Sequence, residues 1–171
     1  MIHSYENKIP KLGEGVWIAP GAHVIGEVEL GDQVSIWFNT VVRGDVNHIR
    51  IGARTNIQDN SVVHVTTATH PTVVGEEVTA GHRVIIHGCT IEDRVLIGMG
   101  AVVMDGAVVG EEALIGAGSV VTPGTKIPPR VLAVGAPCKP LRELREEEIQ
   151  FFKLSALHYC EIAKNYLKTN S

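Results

Sequence analysis

Three histidines stand out by their placement. His64 ends the stretch NIQDNSVVH, and His82 and His87 bracket the apolar run of GHRVIIHG. Neutral imidazole is a ligand for zinc, copper, nickel and iron, so a metal site is the first chemistry to consider. Neither regular element brings His82 and His87 to one ion, because five residues turn a helix by about 140° and put strand side chains on opposite faces. The rings can serve a metal only if the backbone around them has some other geometry.

That geometry lies in a repeat of six. Apolar residues recur at Ile18, Val24, Leu30, Ile36 and Val42, again at Ile51, Ile57 and Val63, and again at Val74, Ala80 and Ile86. After one five-residue step the series closes with Ile91, Ile97, Val103, Val109, Ile115, Val121 and Ile127. Glycine often follows the apolar position, as at Gly31, Gly52, Gly75 and Gly98. Short strands joined by tight corners satisfy both facts, and hexapeptide periodicity marks a parallel β-helix. With three hexads to a triangular coil, the pattern predicts a mainly β fold of about six coils.

Two longer steps, from Val42 to Ile51 and from Val63 to Val74, predict loops leaving the coil, and VTPGTKIPP predicts its end, since proline cannot continue a ladder. Residues 1–140 are therefore assigned to the β-helix and 141–171 to a C-terminal segment. There, Ile149, Phe152, Ala156, Cys160, Ala163 and Leu167 recur at steps of three and four, the stripe of an amphipathic helix laid on the prism or on a neighbour.

Counting hexads puts Val42, Val63 and Ile86 on one face, so the outward positions after them, Arg43, His64 and His87, form a column with neighbours about 5 Å apart. His82 belongs to a different face, near the corner before the His87 strand. A neighbouring subunit can supply it if prisms associate around a threefold axis. The expectation is a site of three histidines shared between subunits, with a fourth position open. His3, His23 and His48 have no such register and read as surface or capping residues, while His70 lies in the loop TTATHPT.

Composition narrows the partners. The 171 residues carry 15 basic and 19 acidic side chains, net charge -4, mixed along the chain, which argues against nucleic acid. No stretch approaches the roughly 20 apolar residues of a membrane span, and MIHSYENKIP lacks the pattern of a secretory leader. Cys89, Cys138 and Cys160 are odd in number without zinc-type spacing, which fits a reducing, cytoplasmic setting.

RGD at Arg43–Asp45, NIQDNSVVH and GHRVIIHG together resemble the gamma-class carbonic anhydrases. The resemblance implies a left-handed parallel β-helix, a homotrimer, and zinc (or iron or cobalt) held at each interface by His64 and His87 of one subunit and His82 of the next. It also implies an intersubunit Arg43–Asp45 ion pair, a Gln58 that bonds the metal's solvent ligand, an Asp59 that orders the interface, and Tyr159 as a further neighbour. Read alone, Arg43 and Asp45 fit an ordinary surface pair, Gln58 and Asp59 fit corners, and Tyr159 fits core packing. Three neutral histidines with one open position let a zinc ion ionise water near pH 7, so the implied reaction is reversible hydration of carbon dioxide to bicarbonate.

The chain departs from that family at Val46, where a glutamate follows the RGD-like motif, and at TTATHPT, which replaces a long acidic loop that carries a proton-shuttling glutamate. Slow proton export and low activity are the expectation, with His70 as a titratable substitute. Two other readings stay open: a hexapeptide-repeat acyltransferase or thioesterase, and a non-catalytic trimeric metal-binding scaffold.

Overall fold

The computed structural model describes residues 1–169, so the last two positions of the expected 141–171 segment lie outside the described residues. The chain winds into a parallel β-solenoid of about seven turns with one C-terminal helix, one turn more than the hexad count predicts. The count is clearest on one face. There Trp17–Ile18, Ser35–Ile36, Asn56–Ile57, Thr79–Ala80, Leu96–Ile97, Leu114–Ile115 and Val131–Val134 stack in parallel.

The extra turn comes from the region expected to end the repeat. Pro128 and Pro129 sit in a corner, where no ladder bond is required, and the coil runs on through Val131–Val134. Lys139–Glu143 then folds back antiparallel on that strand, so residues 141–143, expected in the helix, pair with the final edge instead. An antiparallel closing strand covers part of an open edge that a further chain could otherwise join.

The interior follows from the hexads. Ile36, Ile57, Ile86, Ile97 and Ile115 are fully buried, and a second inward position two residues earlier holds Val34, Thr55, Val84, Val95 and Ala113. Burial of each large aliphatic side chain contributes about 1.5–3 kcal/mol. Polar residues at the second position are tied to the backbone of the next coil: Thr40 donates to the Gln58 carbonyl at 2.7 Å and Thr55 to the Gly75 carbonyl at 2.8 Å. The glycine after the apolar residue is steric. A Cβ on Gly52 would lie 2.5 Å from the carbonyl carbon of Gly75 in the next coil.

The corners also carry charge. Arg54, Glu77, Arg94, Glu112 and Arg130 occupy successive left-handed positions, with φ between 55° and 60°, and alternate in sign along one edge. Arg54 pairs with Glu77 at 2.9 Å, and Arg94 and Arg130 both pair with Glu112. Arg130 also reaches Glu146 at the start of the helix, joining the ladder to the last element.

The two long hexad steps behave differently. Residues 43–50 form no loop: Val41–Ile51 is one strand that turns the corner beside His23–Leu30, with a register shift between Gly26 and Val28. The step after Val63 does leave the ladder, and Thr66 and His70 close it by an isolated bridge.

The helix Glu146–Thr169 buries Ile149, Phe152, Ala156 and Ala163 against the face that begins at Trp17–Ile18. Cys160 is only half-buried and Leu167 is largely exposed, so the stripe seats less completely at its end than the spacing predicts. Glu148 accepts from the Arg145 backbone N–H and from the Arg142 guanidinium, a capping arrangement.

Two stability predictions result. Ile97→Ala leaves a cavity in a closed stack and should cost about 2–5 kcal/mol in urea unfolding at matched protein concentration. Glu148 has its carboxyl held far below the usual range, chiefly by the Arg142 hydrogen bond. Stability from a depressed carboxyl is full above the unfolded value, near pH 4.5, and is lost as pH falls through the folded value. Glu148→Gln should therefore melt at a lower temperature than wild type at pH 7, with the gap closing as the pH is taken well below 4.

Candidate metal centre

The parallel ladder does what the hexad count requires of it. Val62–His64 and Ile85–His87 pair in register, with His64 directly opposite His87. The imidazoles project outward at half-buried positions, with His64 Nδ1 and His87 Nε2 3.1 Å apart. Two nitrogens bound tetrahedrally to one zinc ion at about 2.0–2.1 Å lie about 3.3 Å apart, so the pair has a suitable bite.

The other two ring nitrogens are also committed. His64 Nε2 lies 3.0 Å from Asp45 Oδ1, and His87 Nδ1 lies 2.6 Å from Asp105 Oδ1. An ionised carboxylate only accepts, and a neutral imidazole has one N–H to give. Each ring therefore donates outward to its carboxylate, and the two nitrogens facing each other are both lone pairs. Only a shared proton or a metal cation satisfies that arrangement.

Both carboxylates are kept ionised. Burial pushes each upward, but hydrogen bonds from His64 and Arg43 hold Asp45 below its usual value, and those from His87 and Thr66 do the same for Asp105. Arg43 pairs with Asp45 Oδ2 inside the same chain. The two can pair within one chain because both lie on the one strand Val41–Ile51, two residues apart.

His82 lies at a corner, half-buried, and its Nδ1 is 2.8 Å from Asp59 Oδ2. Gln58 and Tyr159 share that corner. Gln58 is 4% exposed, its amide donates to Asn56 Oδ1 at 3.1 Å, and Tyr159 lies beside it. Asn56 in turn donates to Thr79 Oγ1, which meets Ser155 of the helix at 3.2 Å. Tyr159 also packs edge-on against Trp37, so its packing and polar roles coexist. Burial and the charge of Asp59 push its phenol upward, which keeps it a donor at neutral pH.

One chain thus presents two separate half-sites: His64 and His87 with Arg43 and Asp45 on a face, and His82 with Gln58, Asp59 and Tyr159 at a corner. Among the described residues no group of three or more His, Cys, Asp or Glu side chains could hold a metal within a single chain. His64 and His87 together are two nitrogen donors of a kind that suits a divalent cation.

Three participants escape the hexad reading. Asp105 and Thr66 support His87, with Thr66 Oγ1 donating to Asp105 Oδ2 at 2.9 Å, and Asn56 supports Gln58. Register could have found Asp105: Val103 stacks on Ile86, so Met104 follows His87 and Asp105 comes one residue later. His3 and His23, read as isolated, also meet on adjacent coils, with ring nitrogens 2.9 Å apart.

A model of the family described as bacterial transferase hexapeptide (six repeats) matches residues 9–44 and 88–123. A Methanocaldococcus jannaschii protein named "Probable carbonic anhydrase" is 54% identical over 153 residues, covering 90% of this chain and 96% of its own length. A carbonic anhydrase from Geobacillus kaustophilus is 45% identical, covering 97% and 91%. The mitochondrial gamma carbonic anhydrase 1 of Arabidopsis thaliana is 43% identical, and this chain spans 62% of that relative's length. Among solved structures, a hexapeptide transferase family protein from Anaplasma phagocytophilum superposes with a TM-score of 0.93 at 41% identity, covering 97% of this chain and 98% of that one. With the histidine and carboxylate motifs in their expected positions along the coil, these likenesses make the chain a member of the gamma carbonic anhydrase family of hexapeptide-repeat proteins.

Proposed function

We propose that this chain assembles as a homotrimer, holds a divalent cation, zinc foremost, between His64 and His87 of one subunit and His82 of the next, and hydrates carbon dioxide reversibly to bicarbonate. The observation that carries this reading is the 3.1 Å approach of His64 Nδ1 to His87 Nε2, each ring's other nitrogen being on a carboxylate, with no third donor in reach among the described residues. The surface beside them supports it too. Val62 and Ile85 point outward on the same two strands and are 38% and 41% exposed, an apolar cover for a second copy rather than for water.

When bound, the cation supplies Lewis acidity that brings the ionisation of water toward neutral pH. The three imidazoles bind it without neutralising its charge. Asp45, Asp59 and Asp105 fix the rings, since a histidine ligand held by its second nitrogen keeps its tautomer and orientation. Gln58, held by Asn56 and beside Tyr159, offers an immobile amide to orient a polar oxygen of substrate. Val62 and Ile85 limit the water that reaches it. Hydration releases one proton, and His70, packed beside Gly88 and Gly106 near Asp105, is placed to hand it to buffer.

The acyl-transfer reading shares the fold, and a carboxylate-oriented histidine also suits a general base. It does not require three histidines divided between two surfaces. Metal analysis separates the two: wild type purified without chelator should contain about one zinc per chain, and a metal-free wild type with full activity on an acyl thioester overturns the proposal.

Sharing has its own test. His82→Ala and His64→Ala should each lose zinc and hydration, while trimers refolded from a mixture of the two variants should regain both, because some interfaces then unite intact halves. No recovery in mixed trimers that sediment normally rejects the shared site. For proton export, stopped-flow hydration in weak buffer should slow in His70→Ala and recover with added imidazole; equal rates with and without imidazole count against His70.

A further inference from the structure

His64 and His87 are not the only histidines in this chain that meet across adjacent coils. His3 Nε2 and His23 Nδ1 are 2.9 Å apart with the rings stacked, and among the described residues neither ring has a carboxylate partner. That pair is complete as it stands: one ring donates its N–H to the other, and no cation is needed. The His64–His87 pair has nearly the same separation, 3.1 Å, and the opposite requirement. The difference is what binds the far nitrogens.

Asp45 takes the proton of His64 on Nε2 and so leaves Nδ1 a lone pair. Were His87 free to choose, it would carry its proton on Nε2 and donate it to that lone pair, closing the pair as at His3–His23. Asp105 prevents this. Its Oδ1 sits 2.6 Å from His87 Nδ1, so the proton is drawn to the far side of the ring and Nε2 is bared. Thr66 Oγ1 donates to Asp105 Oδ2 at 2.9 Å, and Asn47 donates to the Thr66 carbonyl at 3.1 Å, which fixes the carboxylate from the loop side.

We infer that Asp105, held by Thr66, is the positioning residue that switches the His64–His87 pair from a self-satisfied hydrogen bond to an open two-nitrogen ligand. The inference rests on the metal reading above but concerns a residue one coil beyond the ligands, outside the motifs that mark the family. It also makes the loop after His64 functional: TTATHPT supplies Thr66, and shortening or displacing it would loosen Asp105 and through it His87.

The experiment uses the full chain. In chelator-treated protein, 15N NMR of the His87 ring should report a proton on Nδ1 in wild type and on Nε2 in Asp105→Ala. In zinc competition against a chromophoric chelator, Asp105→Ala should bind about 10- to 100-fold more weakly. Asp105→Asn keeps a carbonyl oxygen for Nδ1 and should retain the wild-type tautomer and recover much of the affinity. Thr66→Val should shift affinity in the same direction as Asp105→Ala by a smaller factor. An unchanged His87 tautomer in Asp105→Ala, or zinc affinity within twofold of wild type in a folded variant, overturns the inference. If wild type binds no zinc yet the tautomer still switches, the metal reading falls and Asp105's hold on His87 stands.

Discussion

The structure depends on one constraint, the parallel ladder that locks each coil to the next in fixed register. Because Ile86 must lie on Val63 and Val63 on Val42, the outward residues after them have no freedom to slip. A one-residue slip would turn the aliphatic column to solvent and the histidines inward. The same hydrophobic burial that winds the coil therefore sets the spacing of His64 and His87, and no separate device is needed to bring the two imidazoles together. Asp45 and Asp105 gain their positions in the same way, one coil to either side.

The corners make this register tolerable for a chain that must turn three times per coil. Left-handed backbone is costly for residues with a Cβ, yet Arg54, Glu77, Arg94, Glu112 and Arg130 all adopt it. Their alternating charges join stacked corners across coils. Exposed pairs of this kind contribute little singly, but Arg94, Glu112 and Arg130 form one chain of pairs that ends on Glu146 and ties the helix to the prism, while Arg54 pairs with Glu77 apart from it.

Much of this was legible in the amino-acid order. The hexads gave the coil, the face shared by His64 and His87, and the separate placement of His82, because a strict period converts residue number into position. What stayed hidden does not follow from period. Val41–Ile51 reads as a loop because its step is nine residues, yet its backbone goes on pairing around a corner, which depends on Gly26 and Gly44 approaching where a Cβ would stand 2.4 Å from a carbonyl oxygen. Pro128 and Pro129 read as a stop, but a corner needs no N–H. Asp105 follows from the same register, one residue past the outward position after Val103, but a carboxylate there carries no signal of its own in the amino-acid order. The link from Gln58 through Asn56 and Thr79 to Ser155 joins a coil to a helix 76 residues later, which no local pattern encodes.

A solenoid of this kind also limits where chemistry can happen. Its interior is filled: every inward hexad position from Ile36 to Ile115 is closed to solvent, and the buried Thr40 and Thr55 hydroxyls donate to backbone carbonyls of the next coil. Among the described residues the coil interior is closed by side chains, so groups that act on a substrate stand on the outside, where one flat face gives them neighbours on one side only. Excluding water from such a face takes a second body. On this chain His64 and His87 lie on the face and His82 lies at a corner, each held by its own carboxylate. Preorganisation on both surfaces lowers the cost of assembling a site between molecules. The carboxylates on His64 and His87 act in the same direction, since each takes its ring's outer nitrogen and leaves the inner ones facing each other at 3.1 Å.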